Sequence, residues 1–98
     1  MEIIKKENGS ALTLELRGRL DTITSPTLEA VINTELDGVQ ELTIDCSYLE
    51  YISSAGLRVL LSAQKKMNEK GSMKVTNVNE MVGEIFEITG FCDILSIE

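Results

Sequence analysis

Ser53-Ser54-Ala55-Gly56-Leu57-Arg58-Val59-Leu60-Leu61 is the stretch on which the fold turns. Two hydroxyl residues and a glycine precede an apolar face at helical spacing, formed by Leu57, Val59, Leu60, Leu61, Ala63 and Met67. A basic last turn with Lys65, Lys66 and Lys70 then meets a stop at Gly71. The pattern predicts a helix whose N-cap is Ser53 or Ser54. Immediately upstream, Leu42, Ile44 and Cys46 alternate with Thr43 and Asp45, a period of two. That predicts a strand from Val39 or Glu41 to Cys46, with Ser47 to Ile52 as a connecting loop.

Toward the N-terminus, Ile3 to Glu7 and Ala11 to Arg17 flank Asn8-Gly9-Ser10, a strong reversal signal, so the chain is expected to open with a hairpin. Leu12, Leu14 and Leu16 turn to one face of its second strand, which Gly18 interrupts. Ser25-Pro26 reads as an N-cap with proline at the first helical position, and Leu28, Val31, Ile32 and Leu36 give the first helix its apolar side. Asp37-Gly38 stops it. Toward the C-terminus, Ser72 to Val78 reads as a strand and Asn79 as the cap of a third helix with Met81, Val82, Ile85, Phe86 and Ile88 as apolar positions. Glu80, Glu84 and Glu87 form its solvated side, Gly90 closes it, and Ile94, Leu95 and Ile97 suggest a short final strand. A hairpin followed by alternating helix and strand argues for an α/β fold, one domain over residues 1–98, with a mixed β-sheet and three or four packed helices.

Composition narrows the function. With 98 residues, 43% of them apolar, a single proline and 26% charged side chains, the chain suits one folded domain and not a disordered segment. No apolar run approaches the roughly 20 residues that cross a bilayer, and Met1 to Glu7 lacks the basic start and apolar centre of a signal peptide. A cytoplasmic protein without a membrane partner is expected. Nine basic against sixteen acidic side chains leave −7, a field that argues against nucleic acid. The absence of histidine removes the commonest general base and zinc ligand, and Cys46 and Cys92 form no CxxC pair. Both thiols are expected to be buried small apolar groups, with no metal, cofactor or catalytic residue. The acidic surface, without a long exposed apolar segment, argues for a monomer in isolation.

If the second and third strands lie in parallel, the loops Asp21 to Ser25 and Tyr48 to Gly56 open at one sheet edge, where ligands and partners of such folds gather. A serine at a helix head sits among unpaired N–H groups at the positive end of the macrodipole, where a phosphate is tolerated. Spacing alone favours the plainer role of an N-cap, worth about 1 kcal/mol. Asp21 either orients a serine hydroxyl, touches a partner or fixes its own turn. Arg58, one turn after Ser54, either meets a phosphate or partner carboxylate or is a surface charge. Thr22, Ile23 and Thr24 either join a contact surface or, for Ile23, fold inward as a staple for the first helix.

Gly18-Arg19-Leu20-Asp21 before a capped helix, and Leu42-Thr43-Ile44-Asp45 leading to Tyr51-Ile52-Ser53-Ser54-Ala55-Gly56-Leu57-Arg58-Val59-Leu60-Leu61, resemble the STAS family, specifically the bacterial anti-sigma factor antagonists, over essentially the whole chain. The resemblance implies a partner switch: an unphosphorylated antagonist binds an anti-sigma factor that is also a serine kinase, phosphorylation breaks the complex, and a metal-dependent serine phosphatase restores it. The family's acceptor, the serine after the aspartate of Asp-Ser-Ser/Thr-Gly-Leu, maps onto Ser54. Ser53 replaces that aspartate and Ala55 the following hydroxyl residue, which leaves Ser53 as runner-up. The partner surface implied comprises Asp21, Thr22, Ile23 and Thr24 with Ser53, Ser54, Ala55, Gly56 and Arg58. A STAS scaffold in a signalling or transport assembly, its serine never modified, is the alternative. An enzyme is the weakest reading, because no histidine activates a serine and no Walker-type or Gly-x-Gly-x-x-Gly sequence is present.

Overall fold

Asn8-Gly9 reverses the chain with Gly9 at φ +63°, and strand β1 (Glu2–Asn8) returns as β2 (Ala11–Leu20) in an antiparallel hairpin. The computed structural model describes residues 1–98. Helix α1 (Ser25–Glu35) leads to β3 (Glu41–Ile52), α2 (Ser54–Asn68) to β4 (Ser72–Thr76), and α3 (Glu80–Thr89) to a single 3-10 turn at Phe91–Asp93. The sheet order is β1-β2-β3-β4, with β2, β3 and β4 parallel, so it is the mixed sheet with an N-terminal hairpin that the sequence implied.

Register divides the sheet into two faces. Leu12, Leu42 and Met73 line up across three strands, as do Leu14, Ile44 and Val75, and all are buried. Between them Thr13, Thr43 and Lys74 align on the opposite face, followed by Glu15, Asp45 and Thr76. Buried residues from all three helices join the leucine face in one cluster, among them Leu28 and Ile32 of α1, Leu57, Leu60, Ala63 and Met67 of α2, and Val82 and Phe86 of α3. The helices therefore lie on one side, and the other side is open and polar. Glu15, only 6% exposed on that face, is satisfied by Arg17 at 2.9 Å, with Lys6 at 3.9 Å.

Two glycines set how closely α2 approaches. A Cβ on Gly56 would stand 2.7 Å from Leu20 Cγ and 2.9 Å from Ile52 Cγ1, inside contact distance. At the other end a Cβ on Gly71 would stand 2.0 Å from the Gln40 carbonyl oxygen. Both ends of the helix are thus fitted against backbone or core.

Several boundaries depart from the sequence reading. Neither Gly18 nor Ser47 ends a strand: β2 runs to Leu20, and β3 continues through the expected loop to Ile52. Register shifts between Glu15 and Arg17 and between Gly18 and Arg19 let the ladder persist, with Gly18 at φ +101°. The same bulges change the apolar spacing from two (Leu42, Ile44, Cys46) to three (Leu49, Ile52), which hides the strand from a period-two reading. Asn77, at φ +59°, ends β4 before Val78. The last segment makes one bridge, Val75 to Ile97, in place of a strand: Ile94 is still helical at φ −99°, ψ −41° as it caps the 3-10 turn, so extended pairing begins too late for a ladder. On α3 only Val82 and Phe86 are buried. Met81 and Ile88, about 100° or more around the helix from that line, are 54% and 84% exposed. Cys46 is buried as expected, and burial pushes its thiol up to about 12, whereas Cys92 on the 3-10 turn is exposed. No helix is long and apolar enough to cross a membrane.

Candidate functional site

Parallel pairing of β2 and β3 brings their C-terminal ends, Leu20 and Ile52, side by side, and the Ser53 N–H donates to the Leu20 carbonyl at 2.9 Å. The two helix heads that follow are therefore neighbours. In the first, one Asp21 carboxylate oxygen accepts from the backbone N–H groups of Ile23 at 3.0 Å and Thr24 at 3.1 Å. The Asp21 N–H donates to the Thr24 hydroxyl, which donates in turn to the Arg19 carbonyl at 2.7 Å. Ser25 donates from both its N–H and its hydroxyl to the Asp21 carbonyl. The Thr24 N–H, followed by the Ile23 N–H and the Thr24 hydroxyl, holds the Asp21 carboxyl below the usual carboxylate range, with Arg19 adding a smaller pull. Asp21 thus fixes its own turn and hydrogen-bonds the hydroxyl of neither Ser53 nor Ser54. Ser25 is a buried first-turn residue and not the cap, because its hydroxyl points back to Asp21. Thr24 occupies the N-cap position without a side-chain cap bond, and proline follows at the second helical residue.

The second head is built differently. Ser53 is extended at φ −100°, ψ 176°, and its hydroxyl accepts from the Gly56 N–H at a long 3.5 Å. Its carbonyl accepts the first helical bond from Leu57 at 3.0 Å. Of the two serines, Ser53 is the cap. Ser54 is the first helical residue, exposed, with no hydrogen-bond partner for its hydroxyl. Ala55 is half-buried and Gly56 buried beneath it.

Between the heads lies a cleft of about 220 Å³ lined from α1 and its loop by Thr22, Ser25, Pro26 and Glu29, and from α2 by Ala55, Arg58 and Val59. Thr22, Ala55 and Arg58 of the expected surface come together here. Ile23 stands beside them at 86% exposure, so it is not folded inward as a staple. Asp21, Thr24 and Gly56 serve the scaffold of the site. Glu29 was missed, and on an exposed helical position nothing distinguishes it from any solvated carboxylate. Also missed were two stacks on the open face of the sheet, Arg17 4.6 Å over the Tyr48 ring and Arg19 4.5 Å over Tyr51. They became visible only with β3 extended through both tyrosines. Ser53 and Ser54 line neither the cleft between the heads nor a larger open one of about 460 Å³ beside Arg17, Tyr48, Glu50 and Asn79.

The STAS domain family model matches residues 2–98. A protein of Bordetella bronchiseptica named as an anti-sigma factor antagonist, BtrV, is 34% identical over 84 residues, 84% of this chain and 72% of that protein. Among solved structures, an anti-sigma factor antagonist from Mycobacterium paratuberculosis superposes with a TM-score of 0.88 at 22% identity, covering 98% of this chain and 83% of that one. SpoIIAA of Bacillus matches in its unphosphorylated form with a TM-score of 0.86 at 17% identity, over 99% of this chain and 88% of that one. Its phosphorylated form matches with a TM-score of 0.77 at 16% identity, over 99% and 91%. At these identities the structures speak for the fold, and the family model for membership. With its mixed sheet, one-sided helices and paired helix heads, this chain belongs to the STAS domain family, a regulatory family whose members here bear the name anti-sigma factor antagonist.

Proposed function

We propose that this protein is an anti-sigma factor antagonist that binds a serine-kinase anti-sigma factor through the paired heads of α1 and α2, and that phosphorylation of Ser54 releases it. The observation that carries the reading is the division of labour between the serines: Ser53 is engaged as the cap, and Ser54 presents a free hydroxyl at the surface. In the transfer, the γ-phosphoryl group of ATP moves to Ser54 Oγ, ADP leaves, and the kinase takes the hydroxyl proton. A metal-dependent phosphatase hydrolyses the ester and resets the switch. The cytoplasm, where ATP and sigma factors reside, is the proposed setting, with the free protein a monomer of one domain.

The physics is local. Phosphorylation adds about −1.5 to −2 in charge, and the positive end of α2 stabilises it by about 0.3 to 1 kcal/mol in the free protein. A docked partner would have to desolvate that charge, which costs several kcal/mol, and each 1.4 kcal/mol is about tenfold in affinity. Release needs no rearrangement of the fold. Support for this reading comes from the exposed Thr22 and Ile23 beside the cleft, which supply partner contact without being needed by the core. The test is incubation with a candidate cognate anti-sigma factor kinase and ATP, followed by mass spectrometry. Modification at Ser54, lost in Ser54→Ala, with weaker kinase binding by Ser54→Asp, is the expected result. Tight binding that ignores both substitutions would favour the unmodified scaffold, and nucleotide turnover by the isolated chain would return the enzyme reading.

A further inference from the structure

Seven of the nine basic side chains already have acceptors. Lys5, Lys6, Arg17, Arg19 and Lys74 are in ion pairs, and Lys66 and Lys70 donate to the Asn33 side chain and the Leu36 carbonyl. The two left without a partner are Lys65 and Arg58. Lys65 lies about three turns along α2 from Ser54, and Arg58 lies one turn away, exposed at the rim of the cleft between the helix heads. Side chains on an α-helix tilt toward its N-terminus, so the stem of residue i+4 leans over the turn that carries residue i. Arg58 is in no ion pair in the structure, although Glu29 lines the same cleft.

We infer that Arg58 is the internal counter-ion of the Ser54 phosphate: its planar fork folds back one turn and takes two of the phosphate oxygens. The inference rests on Ser54 being the acceptor. It adds a second effect of phosphorylation, because the same event that introduces the dianion withdraws a free cation from the surface a partner meets.

The test uses the full chain with phosphoserine installed at position 54 during synthesis, so that it does not depend on any kinase. The second phosphate ionisation is followed by phosphorus NMR. The expected result is a midpoint lower by about half a pH unit in the parent phosphoprotein than in Arg58→Ala. Arg58→Lys should retain part of that difference, 1 M salt should erase most of it, and Lys65→Ala should leave the parent midpoint in place. Thermal melts establish that each variant is folded. Equal midpoints in the parent and Arg58→Ala, or an equal shift on removing Lys65, would overturn the assignment. Failure of the kinase to modify Ser54 would instead overturn the proposed switch, so the two ideas fail separately.

Discussion

The heads of α1 and α2 stand side by side at the ends of paired strands, yet they use their hydroxyls in opposite ways. At α1 the groups are turned inward: the Thr24 and Ser25 hydroxyls and one Asp21 carboxylate oxygen are held in local hydrogen bonds, and the other Asp21 oxygen faces Arg19 at 3.9 Å. At α2 one serine holds the turn and the next is released from that duty. A pair of adjacent serines therefore lets one hold the cap while the other keeps a free hydroxyl, which the proposed switch requires. Exchanging their fates is the most decisive way to break the comparison. Ser54→Ala should abolish phosphate incorporation by the cognate kinase, whereas Ser53→Ala should retain it. Ser54→Asp should weaken kinase binding about tenfold or more, measured by calorimetry. Incorporation that survived Ser54→Ala and vanished with Ser53→Ala would assign the acceptor to the cap residue.

The comparison also depends on how α2 is seated. Gly56 lets the first turn rest on Leu20 and Ile52, the paired residues from which both heads spring. Gly56→Ala forces a methyl group into that contact and should destabilise the fold by about 1 to 3 kcal/mol, read as a lower urea midpoint with an unchanged slope. A value near zero would mean that the heads slide past one another freely, and that their relative position is not built in.

What could be read from the chain, and what could not, follows the same division. The apolar face of α2, the Asn79 cap and the Asn8-Gly9 reversal are local signals, and each appears where spacing and residue chemistry put it. The extension of β3 to Ile52 was invisible because it depends on bulges, that is, on pairing with a strand thirty residues away. Met81 and Ile88 show the converse limit: helical spacing identifies apolar residues, but only the packed fold says which of them find a neighbour. At the site, the motif narrowed the proposed acceptor to two serines. The choice of cap needed backbone geometry, since either residue has the chemistry to accept the Gly56 N–H.

Sharpening the comparison further requires the cost of each head's own fastening. Ser53→Ala removes a cap bond that is long at 3.5 Å, so its effect should fall at the low end of the range for such caps, about 0.5 to 1 kcal/mol by denaturant unfolding. A loss well above that would mean that the serine does more than cap. In the same variant the free hydroxyl of Ser54 should still be modified, which distinguishes loss of the cap from loss of the acceptor.

At the other head the smallest effect is one of pH. The carboxyl of Asp21 is lowered in the folded protein by the N–H groups of Thr24 and Ile23, so the native state binds its proton less readily than the unfolded chain does. By linkage, the stabilisation is present above the unfolded value near 4 and is lost as the pH falls through the lower folded value. Asp21→Asn keeps an acceptor oxygen for the turn but removes the ionisation. The variant should be slightly less stable than the parent at pH 7, and the gap should close as both are titrated from about pH 4 downward. A gap that instead widened on acidification would mean that the carboxylate is strained in place, and that α1 is fastened by Thr24 and Ser25 alone. Because Asp21 hydrogen-bonds neither Ser53 nor Ser54, Asp21→Asn should leave the phosphorylation of Ser54 at neutral pH unchanged. That independence is what two heads with separate duties require.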